Sequence, residues 1–243
     1  MISIKAFLLA AGVGSRMGAL TQQTPKCLLP IAGKPLLEVW LELLRDQGVT
    51  QVLLNTHWLQ QQVEAFVSRW QSRNLVPQVT LFHEPTLLGS AGTLLANRKW
   101  VTPGKPFLIL YADNLTDVPV GRLVECHLQH GLPFTLGVFK ADHPTQCGIA
   151  EIGEDDIVTG FEEKPEHPKS KWAAAGVYAA DDRIFDVFPP CLGEGQTLDL
   201  GFNIIPRLVG RMRAYYIRDF LLDIGTPEAY KKAARAWNGL KSG

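Results

Sequence analysis

The chain has 243 residues, of which 46% are hydrophobic, and its 24 Lys and Arg residues balance its 24 Asp and Glu residues. This length suits one large α/β domain or two small ones, and a neutral chain without blocks of like charge lacks the basic footprint of a nucleic-acid-binding protein. No stretch approaches the roughly 20 apolar residues of a membrane span, and the cysteines lack the spacing of a zinc site or a disulfide framework. The apolar run at the N-terminus is typical of a buried strand rather than a signal peptide. We therefore expect a cytoplasmic protein without nucleic-acid or membrane partners.

Apolar, β-rich runs alternate with helical periodicity through the first half of the chain. Strands are predicted at residues 2–9, 51–55, 78–83 and 106–111, and helices at 35–48, 59–73, 91–99 and 120–130. Pro35 in the first turn and Gly48 after the last turn mark the ends of the first helix. This order predicts an α/β fold with a doubly wound, mostly parallel, Rossmann-like sheet. Its ligands should gather at the carboxyl ends of the strands.

The second half has short strands separated by turns, which we expect to be antiparallel additions to the sheet. These strands are predicted at 134–139, 148–152, 157–165 and 171–180, followed by helical segments at 183–188 and 202–209, a strand at 214–220 and a helix at 227–240. No linker rich in Pro, Gly or Ser divides the halves, and no repeat is visible. The sequence predicts a single domain over 1–243, with one part at about 1–132 and another at about 133–243.

A glycine-containing turn, AAGVGSRMG, follows the first strand at residues 10–18. Gly12 and Gly14 permit positive φ and a close approach of the backbone to a ligand, so that N–H groups there can surround phosphate oxygens. Met17 stands where a dinucleotide fingerprint needs glycine, and a Walker A loop is excluded as well. A turn without a ligand is the alternative, but Arg16 favours phosphate because guanidinium binds it with two hydrogen bonds.

A second cation lies in the long loop LTQQTPKCLLPIAGKP at residues 20–35. Pro25 restricts its own backbone and that of its neighbour, so Lys26 lies on a stiffened segment. An isolated lysine is more often a solvated surface residue, but Lys26 together with Arg16 resembles a clamp on several phosphates. Lys34, at the head of the next helix, more readily fits a structural place.

The segment LLAAGVGSRMGALTQQTPKCLLPIAGKPLLE resembles the signature of the sugar-1-phosphate nucleotidyltransferases, the pyrophosphorylases of nucleotide-sugar and polysaccharide biosynthesis. Ala11, Ala19 and Cys27 depart from the family pattern, but none of these changes removes a charged group. The resemblance implies a GT-A-like nucleotidyltransferase fold. It also implies an enzyme whose partners are a nucleoside triphosphate and a sugar 1-phosphate, which it converts to a nucleotide-sugar and pyrophosphate.

For the triphosphate, the resemblance implies catalytic roles for Arg16, Lys26 and Asp113. The nucleotide-binding positions of the first loop are then Leu9, Ala11, Gly12, Gly14 and Ser15. Mg²⁺ is the implied cofactor, held by Asp113 in FLILYADNLTD and Asp223 in DFLLDIGTPEAY, because Mg²⁺ needs only one or two carboxylates besides substrate phosphates. Taken alone, Asp113 could be a turn residue and Asp223 could merely precede a helix.

For the sugar phosphate, FEEKP matches an E-K-P element in which the glutamate binds sugar hydroxyls and the lysine binds the phosphate. The resemblance implies that Glu162 or Glu163, together with Lys164, binds the sugar phosphate. Glu163 is the stricter match because it directly precedes the lysine, and we expect Glu162 to face the opposite side of the strand; a surface charge pair is the alternative. The implied site also includes Gly148 and Gly176. In AAAGVY, Ala174 stands where asparagine is usual, which leaves the identity of the sugar open.

For the base, HEPTLLGSAGTL looks most like the mannose-1-phosphate guanylyltransferases and related enzymes for heptose or hexose phosphates. The implied positions are Glu84, Gly89 and Ser90. The acceptor-only carboxylate of Glu84 suits the N1–H and N2–H₂ donors of guanine, which favours GTP with mannose or heptose 1-phosphate. The alternatives are UTP, dTTP or CTP, and Glu84 could simply end a strand before Pro85.

Two other classes of function remain open. A nucleotide-sugar sensor without activity would have lost a charged site residue, and none is missing. A phosphocholine cytidylyltransferase would need a cation-binding aromatic pocket, for which Trp172 is a candidate. A homo-oligomer is compatible with the sequence, since Trp58, Trp70 and Trp237 could lie at a subunit contact or in the core.

Overall fold

The structure, a computed structural model, describes residues 4–193 and 195–240. These residues form two compact units, each made of separate chain segments. Unit 1 comprises Met1–Leu87, Leu110–Val120 and Asp219–Gly243, and unit 2 comprises Leu88–Ile109 and Gly121–Arg218. The single domain with parts that meet near residue 132 stays a prediction.

The strands in chain order are β1 (Ile4–Leu9), β2 (Pro30–Ile31), β3 (Lys34–Pro35), β4 (Val49–Thr56), β5 (Gln78–His83), β6 (Phe107–Tyr111), β7 (Asn114–Thr116), β8 (Phe134–Lys140), β9 (Gly148–Ile152), β10 (Val158–Glu163), β11 (Trp172–Ala180), β12 (Met212–Tyr216) and β13 (Leu221–Asp223). The α-helices are α1 (Ala19–Gln22), α2 (Leu36–Asp46), α3 (Gln60–Ser72), α4 (Ser90–Ala96), α5 (Val120–His130) and α6 (Pro227–Ala236).

The sheet of unit 1 contains parallel strands. β1 pairs with β4 and β4 pairs with β5, both in parallel. The central residues of β1 and β4 are buried, as expected for strands covered on both faces. The apolar residues of α2 recur at helical spacing and form one buried face of the helix. This face includes Leu37, Trp40, Leu41 and Leu44.

Antiparallel strands dominate unit 2. β11 pairs with β8 and β9, and β9 pairs with β10, all antiparallel, which confirms the predicted pairing mode of this half. β12 pairs with β8 in parallel. A register irregularity between Ala174 and Tyr178 surrounds Gly176, whose φ of 67° requires the freedom of glycine.

The strand predicted at 214–220 is confirmed only over residues 214–216, which belong to β12, and its continuation to 220 is wrong. The chain forms β12 up to Tyr216 and β13 from Leu221, and these belong to different sheets. β13 pairs with β7 instead. No local sequence pattern indicates this break, because β7 is only three residues long and follows β6 almost at once.

Several helix boundaries also differ from the prediction. α6 ends at Ala236 rather than at residue 240, and α4 ends at Ala96 before a separate 3₁₀ turn. The segment predicted as a helix at 202–209 is a π-turn followed by a 3₁₀ turn, because Pro206 cannot donate the backbone bond that would continue an α-helix.

Within the described residues, every helix is too short or too polar to cross a membrane. Trp70 is buried and Trp237 is 9% exposed, whereas Trp58 is 40% exposed. A cytoplasmic location and a homo-oligomer stay predictions.

Candidate functional site

The glycine loop of unit 1 leaves the carboxyl end of β1 and enters a 3₁₀ turn at Ser15–Met17. Gly14 precedes this turn with φ 70°, a conformation that favours glycine. Arg16, Gly12 and Ser15 are exposed, while Ala11 is buried. Leu9 ends the strand, and its carbonyl accepts a hydrogen bond from the N–H of Ala112. Glycine conformation and backbone hydrogen bonds therefore give this loop a defined conformation.

Side chains without a predicted place in the site hold this loop. Thr21 is buried, and its hydroxyl donates to the carbonyl of Gly14 at 2.9 Å. The indole of Trp58 donates to the carbonyl of Thr21 at 2.8 Å, and Gln62 donates to that of Gln23 at 2.8 Å. Trp58, just before α3, and Gln62, in its first turn, thus hold the segment that leads to Lys26.

Lys26 lies between two carboxylates of the same unit. Its Nζ is 2.8 Å from Asp113 Oδ2 and 3.6 Å from Asp223 Oδ1. The lysine side chain is 10% exposed, and those of Asp113 and Asp223 are 37% and 55% exposed. Lys26 is therefore a buried cation beneath acids that face outward, and not a solvated surface lysine. Lys34, in contrast, forms an exposed pair with Glu42.

Strand pairing brings the two aspartates together. Asp223 is the last residue of β13 and is paired with Asn114 of β7, the residue after Asp113. The N–H of Ile224 donates to the carbonyl of Asp113 at 3.0 Å. Sequence reasoning had assigned both residues to one site without this pairing, which the structure supplies.

Arg16 completes the group, which we call the cation–carboxylate cluster: Arg16, Lys26, Asp113 and Asp223. A Cβ atom built on Gly225 would lie 2.9 Å from Arg16 Nη2 and 3.0 Å from Asp223 Oδ1, so the guanidinium and the carboxylate flank this glycine. Partial burial and the charge of Asp113 raise the pKa of Asp223, and the charges of Lys26 and Arg16 oppose this rise. The positive charges of Lys26 and Arg16 thus offset the effects of burial and of Asp113 on Asp223 only in part.

The donor set of the cluster fits a magnesium ion. Two carboxylates lie within reach of one ammonium group and retain exposed oxygens. Mg²⁺ prefers such hard oxygen ligands and takes its remaining ligands from water and phosphate. Within residues 4–193 and 195–240, no group of three or more His, Cys, Asp or Glu residues could hold a metal alone.

Glu84 lies in the interior of unit 1. Its side chain accepts a hydrogen bond from Asn55 Nδ2 at 2.8 Å, and Asn55 Oδ1 accepts one from the N–H of Ala10 at 2.6 Å. Glu84 is only 1% exposed. This chain of contacts connects the end of β5 to the start of the glycine loop, and it gives Glu84 a structural role that the sequence did not indicate.

The GSAG segment packs within unit 2. A Cβ atom on Gly89, whose φ is 79°, would lie 2.5 Å from the carbonyl oxygen of Leu198. The N–H groups of Ala91 and Gly92 both donate to that carbonyl. The hydroxyl of Ser90 donates to Asp199 Oδ2 at 2.8 Å and accepts from the N–H of Leu200. The close approach explains the glycines at this turn.

Glu163 of unit 2 has a carboxylate surrounded by glycines. A Cβ atom on Gly148 would lie 2.4 Å from Glu163 Oε2, and one on Gly201 would lie 2.3 Å from it. Burial and the neighbouring charge of Asp199 raise the pKa of Glu163, and Lys164 opposes this rise. A partly buried carboxylate next to another acid is suited to accept hydrogen bonds from a ligand that carries hydroxyl groups.

The other predicted sugar-site residues lie along the same strands. Lys164 has φ 51°, an uncommon value for a residue with a side chain, and its ammonium lies 5.8 Å from the ring centre of Phe202. Phe202 is 58% exposed. Glu162 is exposed next to the half-buried Glu163, as the alternation of a strand predicts. Gly176 donates its N–H to the hydroxyl oxygen of Tyr178.

Sequence reasoning missed Asp199, Gly201, Asn55 and Thr21. The pattern Asp-Leu-Gly at 199–201 could have indicated a capping aspartate, since its carboxylate accepts from the N–H groups of Gly201 and Phe202. Asn55 carries no comparable signal, because its partners lie far away in the sequence.

Residues 5–238 match the Nucleotidyl transferase family, so the chain belongs to this family. The chain is 30% identical over 229 residues to a mannose-1-phosphate guanylyltransferase catalytic subunit beta from Drosophila melanogaster, covering 93% of this chain and 60% of the relative. The chain thus spans less than two thirds of the length of this curated relative.

Solved structures share the fold. UDP-glucose pyrophosphorylase in complex with UDP-glucose superposes with a TM-score of 0.81, at 21% identity, over 97% of this chain and 98% of that one. HddC from Yersinia pseudotuberculosis gives a TM-score of 0.78 at 23% identity, over 96% of this chain and 98% of that one. The predicted α/β nucleotidyltransferase fold is confirmed.

Proposed function

We propose that this protein transfers a nucleotidyl group from a nucleoside triphosphate to a sugar 1-phosphate, with release of pyrophosphate. The observation that carries the proposal is the cation–carboxylate cluster in a chain of the Nucleotidyl transferase family. GTP and mannose 1-phosphate are the first candidates, because the Drosophila relative is named a mannose-1-phosphate guanylyltransferase.

The triphosphate site belongs to unit 1. The exposed backbone of Gly12 and the guanidinium of Arg16 bind phosphate oxygens, and Lys26 supplies a charge whose position is fixed by two aspartates. Because the ammonium is already desolvated and oriented, little reorganisation is required when charge develops on the leaving pyrophosphate. Asp113 and Asp223 would hold Mg²⁺, which neutralises phosphate charge when bound.

The sugar-phosphate site belongs to unit 2. Glu163 accepts hydrogen bonds from sugar hydroxyls, and Gly148 and Gly201 leave space for its carboxylate. Lys164 binds the phosphate of the sugar. Gly176 allows the irregular turn of β11 beside Ala174, which offers only a methyl group to the sugar.

The reaction needs no general base on the protein. A phosphate oxygen of the sugar 1-phosphate is ionised at neutral pH and attacks the α-phosphorus in line. The bond from that phosphorus to the bridging oxygen of pyrophosphate breaks, and the electron pair leaves with pyrophosphate. The residues named above therefore act by positioning and by charge neutralisation.

Pyrophosphate release with GTP, UTP, dTTP and CTP, each against mannose, glucose and heptose 1-phosphates, tests the proposal. We expect the highest kcat/KM with GTP and mannose or heptose 1-phosphate. Preference for another triphosphate would overturn the choice of base only. Failure to release pyrophosphate from any pair, while triphosphate still binds, would overturn the activity and favour a nucleotide-sugar sensor.

The phosphocholine alternative depended on Trp172. The indole of Trp172 lies in the same cavity as Lys140 and Arg218, and two positive charges disfavour a trimethylammonium group. We therefore expect no pyrophosphate release from CTP and choline phosphate.

A further inference from the structure

A cavity in unit 2 has no part in the proposed reaction. Its volume is about 460 Å³, within the range of small-molecule sites. The lining residues are Lys140, Trp172, Tyr216, Ile217 and Arg218. The cavity therefore combines two aromatic rings with two cations.

Three neighbouring strands bring these residues together. Lys140 at the end of β8 lies directly opposite Trp172 at the start of β11. Tyr216 ends β12 and is paired with Val138 of β8. The next residue, Ile217, donates its N–H to the carbonyl of Val138, which keeps the following Arg218 near the same end of the sheet. The cavity is thus built on strand ends rather than on a long loop.

The two aromatic rings form a fixed corner. The ring centroids of Trp172 and Tyr216 are 4.8 Å apart, and their planes meet at 72°. Burial raises the pKa of Tyr216, and so does a hydrogen bond from its phenol to Asp156. Asp156 also accepts a hydrogen bond from Arg213 at 3.2 Å. Asp156 therefore already has a positive partner, and its contact with the phenol helps to hold the Tyr216 ring in place.

Both cations are without a protein partner in the part of the chain that the structure describes. Among residues 4–193 and 195–240, neither Lys140 nor Arg218 forms an ion pair or a side-chain hydrogen bond. An anion that enters the cavity could bind both without displacing a protein carboxylate. Such an anion would accept charge-assisted hydrogen bonds from both side chains.

We propose that this cavity binds an anionic saccharide. Its ring lies against Trp172 and Tyr216, and its phosphate or carboxylate lies between Lys140 and Arg218. A corner of two rings offers one ring face and one ring edge, which suits a thick pyranose ring better than a flat base that needs parallel stacking. The site does not depend on the proposed activity, since it can be measured without a triphosphate.

The anionic group can come from two sources. Trp172 and Ala174 lie two residues apart on β11 and so on the same face, roughly 7 Å from each other. A remote anionic group on the substrate sugar could therefore reach the cavity. A separate anionic sugar could equally bind there and change the rate.

Calorimetric titration of the whole protein with glucose 6-phosphate tests the site. The variant is Lys140→Gln combined with Arg218→Gln, and the matched control is Arg98→Gln combined with Lys99→Gln, which removes two exposed cations of the same unit. We expect binding by the wild type and by the control, and a loss of about tenfold or more in the Lys140/Arg218 variant. Methyl glucoside, which is neutral, should bind far more weakly.

Three results would overturn the proposal: no binding of glucose 6-phosphate, equal affinity in the Lys140/Arg218 variant and its control, or tighter binding of AMP. Glu163→Gln alters the other sugar site and is compared with the Lys140/Arg218 variant. If Glu163→Gln lost binding while the Lys140/Arg218 variant kept it, the ligand would bind at Glu163, and the cavity assignment would be refuted.

The source of the anion is resolved by kinetics. If the group belongs to the substrate, mannose 1,6-bisphosphate will have a lower KM than mannose 1-phosphate in the wild type, and the Lys140/Arg218 variant will lose this difference. If it belongs to a separate molecule, glucose 6-phosphate will change the rate with mannose 1-phosphate in the wild type only. Either result supports the site.

Discussion

Lys26 Nζ lies 2.8 Å from Asp113 Oδ2, which joins residues 87 positions apart in the sequence. The lysine enters from a loop stiffened by Pro25, and the aspartate follows strand β6. Because the ammonium is largely buried, it cannot exchange this partner for water without cost. The contact fixes the position of the charge that we propose for phosphate binding.

Lys26→Ala should reduce kcat by about 100-fold or more, because the transition state loses a preorganised charge. The unfolding free energy should fall by about 1–3 kcal/mol, because the partly buried carboxylates lose their cation. Pyrophosphate release and urea unfolding measure the two effects. Lys34→Ala is the matched control, since its exposed pair with Glu42 should matter by less than about 1 kcal/mol. A near-normal rate in Lys26→Ala would refute the clamp.

Asp223→Asn should lower activity without lowering stability. The raised pKa of Asp223 means that burial and Asp113 disfavour its ionised form, so a neutral amide relieves repulsion in the ligand-free protein. If Asp223 holds magnesium, the variant will also need a higher Mg²⁺ concentration to reach its own maximal rate. Urea unfolding without metal and pyrophosphate release against MgCl₂ test both statements.

Asp46→Asn is the matched control, because it also replaces an acid by its amide, but in an exposed ion pair with Arg45. We expect it to leave the Mg²⁺ dependence unchanged. An unchanged Mg²⁺ dependence in Asp223→Asn would remove Asp223 from the metal site.

Gly12→Ala separates folding from ligand binding. A Cβ atom at Gly12 meets no described atom within 4 Å, so the ligand-free protein should fold with its normal stability. If the backbone at Gly12 approaches the triphosphate, the methyl group will clash with it, and the KM for the triphosphate will rise about tenfold or more. Thermal unfolding and kinetics measure this pair of effects. Equal KM values in variant and wild type would show that the triphosphate does not approach Gly12.

The sequence predicted the elements of the fold better than the contacts of the site. Strong periodicity and boundary residues such as Pro35 and Gly48 located α2 within two residues of its observed ends, Leu36 and Asp46. Short elements were not predicted, because a strand of three residues such as β7 is too short to show a periodic pattern of apolar residues.

Site contacts depend on pairing between distant segments. The register of β7 with β13, which brings Asp113 to Asp223, has no local signature. Motif resemblance supplied the residue types, but it missed Asn55 and Asp199 because they contact protein groups rather than forming a recognisable charged motif.

The environment of His130 predicts that the free energy of unfolding falls at acidic pH. Burial, with the positive neighbours His127, Arg213 and Arg183, lowers the pKa of His130 to about 4 despite the opposing charge of Asp181. An unfolded histidine titrates at about 6.5, so the unfolded chain takes up the proton first as the pH falls. This contribution to stability is complete above about pH 6.5 and is lost as the pH falls toward 4.

His130→Gln should flatten that dependence. The hydroxyl of Thr135 lies 2.7 Å from His130 Nε2 and 2.9 Å from His127 Nδ1, and glutamine can keep a hydrogen bond there without a titrating group. Urea midpoints measured from pH 7 to pH 4 should fall less steeply in the variant than in the wild type. Parallel curves would assign the acid sensitivity to other groups.

Glu84→Gln tests whether the buried glutamate reads the base. Its carboxylate is 1% exposed and accepts from Asn55, whose own oxygen holds the N–H of Ala10 at the start of the glycine loop. A glutamine amide can present its N–H₂ group to Asn55, which leaves buried groups poorly paired and should cost about 1–3 kcal/mol of stability. Activity with GTP and with UTP should then fall by the same factor, because the loop is disturbed and not the base contact. Pyrophosphate release with both triphosphates measures this ratio, and a selective loss of GTP activity would instead show that Glu84 contacts guanine.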